Sequence, residues 1–185
     1  MDPIVSFDGG IMKKEDLKRF CDTEGYRHTL AEPWSTEKHT YASNGHIIIR
    51  VPRMADVPER SNAPKIDGTL LGEAFEYGPE KWYPIPKITA PKEQECPSCK
   101  GSGEITKCHE CGCELPIRDG VCSDCDGTGY ILKHISVEVA GALFSDVYLY
   151  DIGRLEGAEI APRGAMESAR FRFNGGDGLL MPRKS

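Results

Sequence analysis

Seven of the eight cysteines of this chain fall between Cys96 and Cys125. The stretch reads CPSCKGSG, then CHECGC, then CSDCDGTG. It contains three C-x-x-C pairs: Cys96/Cys99, Cys108/Cys111 and Cys122/Cys125. The outer two share the pattern C-x-x-C-x-G-x-G. A short knuckle of this kind lets two thiolates reach one ion, and the glycines that follow let the backbone turn tightly and aim its N–H groups at the sulfurs. Two knuckles complete a tetrahedral Zn²⁺ site, whose binding free energy is roughly 10–16 kcal/mol in small zinc peptides. The segment needs such a staple, because Ile105, Leu115, Ile117 and Val121 are its only obvious core residues.

Other cysteine chemistries fit less well. Disulfides need an oxidising compartment, and MDPIVSFDGG lacks the basic and apolar regions of a secretory leader. A redox C-x-x-C usually stands alone at a helix start, and iron–sulfur proteins use other spacings. The expected ligand set is Cys96, Cys99, Cys122 and Cys125, although residues 100–121 make a connection slightly longer than usual between two such pairs. Cys108 and Cys111, with Cys113, His109 or the more distant His134, would then hold a second ion. Alternatively, Cys108/Cys111 pair with Cys122/Cys125 across the shorter loop. The cofactor expected is therefore Zn²⁺, one ion or two.

The segment resembles the cysteine-rich region of the DnaJ co-chaperones, where repeated C-x-x-C-x-G-x-G knuckles bind zinc in a β-hairpin arrangement. The likeness covers residues 96–129 and two full repeats, where that family has four. The chain has no His-Pro-Asp tripeptide, which that family needs to stimulate its chaperone partner. Only the zinc geometry is carried over.

A formal charge of −6 argues against a generally basic nucleic-acid binder. No apolar run approaches the roughly 20 residues that span a bilayer, so a soluble, cytoplasmic protein is expected, with no membrane partner. Along the chain, 3–9 reads as a strand and 12–21 as a helix. That helix has Leu17, Phe20 and Cys21 on its apolar side and Lys13, Lys14, Lys18 and Arg19 on its basic one. Cys21 is read as a buried apolar side chain. Extended segments are expected at 26–32 and 39–52, the second folded at Asn44-Gly45 as a type I′ hairpin. A short helix is expected at 69–77. The proline-punctuated stretch 79–95 reads as an extended linker, with Trp82 and Tyr83 capping a nearby core. Alternation in 134–140 predicts a strand with Ile135, Val137 and Val139 on one face. Ser145 caps a helix over 146–155, Gly157 ends it, and strands follow at 158–162 and 169–174.

The expected fold is α+β: residues 1–90 form the first half of a body with its linker, 91–130 an inserted zinc module, and 131–185 the second half. The two halves share a strand–helix–strands grammar, as internal duplication would produce. TYASNGHIIIRV, SDVYLYDIGRL and ARFRFNGGDGLLMP are similar to segments of the DNA sliding clamps, whose domains are built from two β-α-β-β-β halves. That resemblance implies helices lining a DNA channel. Lys13, Lys14, Lys18 and Arg19 suit that role, whereas helix 146–155 carries Asp146 and Asp151 against the single Arg154. A closed ring would need a hexamer of such a domain, so oligomerisation belongs to that reading. A compact domain of this kind with a zinc insert is expected of a bacteriophage or mobile element.

No hydrolase, zinc-protease or phosphate-loop motif is present. His28, His39 and His46 are read as surface or core side chains rather than a second metal site, and no enzyme is expected. Around the cysteines, Glu95, Glu104, Glu110, Glu114, Asp119, Asp124 and Asp126 outnumber Lys100, Lys107 and Arg118. The expected function is a non-enzymatic, zinc-binding interaction protein, an adaptor or inhibitor whose protein partner has a basic surface. The alternative is a clamp-like DNA-binding protein using helix 12–21. A metal-dependent hydrolase or nuclease built on the histidines is the third reading.

Overall fold

The computed structural model describes residues 12–22, 27–66, 68–104 and 120–184. The strand expected at 3–9 lies outside them. The chain divides into two compact units, Met1–Thr89 with Ser136–Ser185, and Ala90–Ile135.

The larger unit is a seven-stranded antiparallel sheet with helices on both faces. Its strands are β1 (Trp34–Ser35), β2 (His39–Ser43), β3 (Ile47–Pro52), β4 (Tyr83–Pro84), β9 (Glu159–Ala161), β10 (Ala169–Phe173) and β11 (Gly176–Leu180), in the spatial order β1-β2-β3-β11-β10-β9-β4. The central pairing, β3 with β11, joins the 34–52 meander to the 159–180 meander, with Ile49 opposite Gly178 and Ile47 opposite Leu180. A hairpin of β7 (Ser136–Val139) and β8 (Ala142–Ser145) runs directly into helix α3 (Asp146–Gly153).

Side-chain alternation explains the layers. In β10, Ala169, Phe171 and Phe173 are buried while Arg170 and Arg172 take the opposite face. On the buried side they join Leu17 and Phe20 of the α1 region (α1 is Lys14–Lys18) and Leu149 and Ile152 of α3. The consecutive Ile47, Ile48 and Ile49 are all buried because β3 is covered on both sides. Ile47 and Ile49 enter the α1/α3 core, whereas Ile48 joins Trp34, Tyr41 and Phe75 beneath α2 (Leu70–Glu76). Each such side chain contributes about 1.5–3 kcal/mol on burial.

Four local expectations are corrected. The described part of 26–32, residues 27–32, does not form a strand: His28–Leu30 is a 3-10 turn, and the Arg60 guanidinium donates to the carbonyls of Thr29 and Glu32, both at 2.8 Å. The loop at Asn44-Gly45 is not type I′, since only Gly45 has positive φ, at +88°. Instead the Asn44 side-chain oxygen accepts the N–H groups of His46 and Ile47 at 3.0 and 3.1 Å, an Asx turn that closes a longer loop. The linker supplies edge strand β4, paired with β9, while Tyr83, Ile85 and Ile88 pack on the core. Of the three residues expected on one face of the 134–140 strand, Val139 is buried and Val137 half-buried, but Ile135 is exposed and belongs to the smaller unit. Among the described residues, no helix is long and apolar enough to cross a membrane.

Candidate metal centre

The smaller unit is organised by two turns related by a constant offset in sequence. A two-stranded ribbon, β5 (Glu93–Glu95) with β6 (Tyr130–Leu132), closes its base. From β5 the chain enters Cys96-Pro97-Ser98-Cys99, and Cys122-Ser123-Asp124-Cys125 precedes β6. The two knuckles close with similar contacts, although the N–H that reaches the first cysteine's carbonyl comes from the fourth residue on in one and the fifth in the other. The Lys100 N–H donates to the Cys96 carbonyl at 2.7 Å and the Ser102 N–H to that of Cys99 at 3.1 Å. In the second turn, Gly127 donates to Cys122 at 3.1 Å and Thr128 to Cys125 at 2.9 Å. Positive φ at Lys100 and Asp126, Gly101 and Gly127, and Gly103 and Gly129 gives the two turns the same tight path.

The turns also hold each other. Cys96 donates its N–H to the Gly129 carbonyl at 2.8 Å, and Cys122 donates to the Gly103 carbonyl at 2.9 Å. A Cβ on Gly103 would lie 2.2 Å from the Gly127 oxygen, and one on Gly129 would lie 2.3 Å from the Gly101 oxygen. These two positions therefore require glycine both for space and for conformation.

This framework brings together the four outer cysteines, all buried, with every pair of sulfurs within 4.8 Å. Cys96 Sγ and Cys122 Sγ are 3.7 Å apart, as are Cys99 Sγ and Cys125 Sγ. Sulfurs around a tetrahedral ion with metal–sulfur bonds of about 2.3 Å are spaced about 3.8 Å apart, so the four could hold one metal ion. The Gly103 N–H points at Cys99 Sγ and the Gly129 N–H at Cys125 Sγ, each at 3.3 Å, a pattern that stabilises negative charge on sulfur. Burial pushes the Cys122 thiol up to about 12; the Asp124 N–H opposes this, and the Cys125 and Cys96 thiols add to it. At Cys99 burial also raises the pKa, but the Gly103 N–H and the Cys125, Cys96 and Cys122 thiols outweigh it and bring the group down to about 7. A cation among the sulfurs would let all four ionise.

Among the described residues, the structure brings the four outer cysteines together. Cys108, Cys111 and Cys113 lie outside the described residues, as does His109. His134 is exposed and stands apart from the four-thiol group. Sequence reasoning missed Ser102 and Thr128. The Ser102 hydroxyl donates to the Cys99 carbonyl at 2.8 Å and that of Thr128 to the Cys125 carbonyl at 2.7 Å, and each hydroxyl also receives the N–H two residues on. The available signal was the hydroxyl residue between the two glycines of each knuckle.

The basic helix is less open than its sequence suggests. Lys13 is exposed and Lys14 half-buried, and Lys18 pairs with Glu32 at 3.4 Å. Arg19 is half-buried, and its charge opposes the upward shift that burial imposes on the Asp151 carboxyl of α3. The histidines form no metal-binding group among the described residues. His39 lies edge-on to Tyr41, and His46 stacks on Tyr148. In the larger unit, a mostly apolar cavity of about 480 Å³ is lined by Trp34, Ile48, Leu70, Leu71, Leu179 and Met181, among others. No family model matches the chain, and neither the curated proteins nor the solved structures yield a match to it.

Proposed function

We propose that Cys96, Cys99, Cys122 and Cys125 hold one structural Zn²⁺, and that the protein is a non-enzymatic recognition protein whose zinc-stapled module contacts another protein. The observation that carries this reading is the convergence of four buried sulfurs, every pair within 4.8 Å, from two glycine-bearing knuckles. An all-thiolate set suits zinc, and four protein ligands leave no open position for water, which is the arrangement of a structural site rather than a catalytic one. The zinc supplies cross-linking, since among the described residues the module's buried cluster is the four cysteines with Ile131 packed against them.

A partner with a basic surface fits the charge. Residues 90–135 hold eight acidic against five basic side chains, net −3, and Zn²⁺ with four thiolates adds a further −2. DNA binding through the basic stretch 13–19 draws less support, because Lys18 is paired with Glu32 and the Arg19 charge acts on the Asp151 carboxyl. The deciding experiment measures zinc per chain and mass in solution for protein purified under reducing conditions without chelator. At least one tightly held zinc supports the reading, and a well-folded protein without metal refutes it. A closed ring that binds DNA, and loses it when Lys13, Lys14, Lys18 and Arg19 become glutamate, would favour the clamp-like alternative.

A further inference from the structure

The base of the module presents a second chemical pattern. In the β5–β6 ribbon, Glu93 lies opposite Leu132, Gln94 opposite Ile131 and Glu95 opposite Tyr130. Directly opposed residues share a face, and successive pairs alternate between faces. Ile131 packs against the cysteines, so Glu93, Glu95, Tyr130 and Leu132 share the other face. All four are exposed, Tyr130 by 50% and Leu132 by 42%. Two large apolar side chains thus stand in water beside two carboxylates, with a repeat of two residues along each strand.

We propose that this face is a docking site for an extended segment of another protein with Lys or Arg at alternate positions. The inference rests on the zinc-module reading above and names the surface and partner chemistry that reading leaves open. Same-face side chains of an extended segment repeat about every 7 Å, which matches the spacing of Glu93 from Glu95 and of Tyr130 from Leu132. Lys and Arg have aliphatic stems that lie along apolar surface while their charged ends reach an acceptor. Tyr130 and Leu132 receive the stems, the Tyr130 ring also attracts a cation, and the carboxylates receive the heads. The same carboxylates repel a phosphate backbone. The metal enters as scaffold: the Thr128 hydroxyl, which donates to the Cys125 carbonyl of the second knuckle, also accepts the Tyr130 N–H, at 3.3 Å, so the knuckle fixes where β6 begins.

The test is fluorescence anisotropy of the full chain, with zinc content measured in every sample. The probe is a fluorescein-labelled peptide of alternating Arg and Val, compared with a block peptide of the same composition and a single-stranded oligonucleotide. The alternating peptide is expected to bind best, and a chelator is expected to abolish its binding. Both Glu93→Lys/Glu95→Lys and Tyr130→Ala/Leu132→Ala should weaken it by roughly tenfold or more at unchanged zinc content. Glu104→Lys, elsewhere on the module, should change it by less than about twofold. Equal loss in that control, equal binding of the block peptide, preference for the oligonucleotide, or no binding by a zinc-loaded protein overturns this inference and leaves the zinc module standing. Absence of zinc overturns both.

Discussion

Gly103 and Gly129 do the same two jobs in opposite halves of the metal centre. Each directs its N–H at the second sulfur of its own knuckle, at 3.3 Å, and each gives its carbonyl to the N–H of the first cysteine of the other. Neither tolerates a side chain, since φ is +75° and +80° and an added Cβ would meet a backbone oxygen. Gly103→Ala and Gly129→Ala are each expected to lower metal affinity by about 10–100-fold, the range for residues that orient ligands from behind. Competition with a chromophoric chelator measures this. Unchanged affinity in both variants would remove the glycines from the account of the site.

Cysteine substitution separates the four-thiol centre from the cysteines between its knuckles. Removing Cys96, Cys99, Cys122 or Cys125 leaves three thiolates and a gap in a buried tetrahedral site. Each single Cys→Ser change at these positions should release the metal at chelator concentrations the parent withstands. A Cys108→Ser/Cys111→Ser/Cys113→Ser variant should keep one equivalent, counted by mass spectrometry under non-denaturing conditions. If the triple variant loses all of its metal, the outer pairing is wrong.

The four-cysteine cluster was legible because C-x-x-C-x-G-x-G couples ligand and turn chemistry in eight residues and occurs twice. The offset carries further: Glu95 opposite Tyr130 and Glu104 opposite Val121 occupy corresponding places, with acid and apolar residue exchanged. The body was legible where both faces of a strand are filled, as in Ile47–Ile49, or where alternation is strict, as in Ala169–Phe173. It was not legible at Tyr83–Pro84, where a proline-rich stretch becomes a strand because β9 offers it a free edge. Nor was it legible at His28–Leu30, whose turn depends on Arg60 thirty residues away. Long-range partners decided those two segments, and local sequence does not show them.

Gly178 is required by space rather than by backbone conformation. Its place in β11 lies under the Phe171 ring, and an added Cβ would come 2.1 and 2.4 Å from two ring carbons and 2.5 Å from the Ile48 carbonyl oxygen. Phe171 is fully buried and has no exposed direction in which to move. Gly178→Ala should therefore destabilise the body by about 1–3 kcal/mol, as overpacking of a tight core does. Urea unfolding followed by tryptophan fluorescence reads the shift in midpoint. Phe171→Leu in the same background should recover part of the loss by making room, and failure to recover would point to the Ile48 carbonyl as the obstruction.

Cys21 gives the body a dependence on alkaline pH. It sits in the core beside Leu17 and Phe20, and burial, followed by the nearby Glu32 charge, raises its thiol from 9.0 to about 11. Between those values the unfolded chain loses the Cys21 proton and the folded chain keeps it. The contribution to stability is thus complete below pH 9 and is lost as pH rises toward 11. Stability measured by urea unfolding should fall across that window in the parent and fall less in Cys21→Ala, after allowance for the constant cost of the smaller side chain. Iodoacetamide should label Cys21 at pH 8 only after the body is unfolded, as peptide mapping with and without denaturant would reveal. Rapid labelling of the folded protein at that pH would mean that the thiol is neither buried nor held neutral.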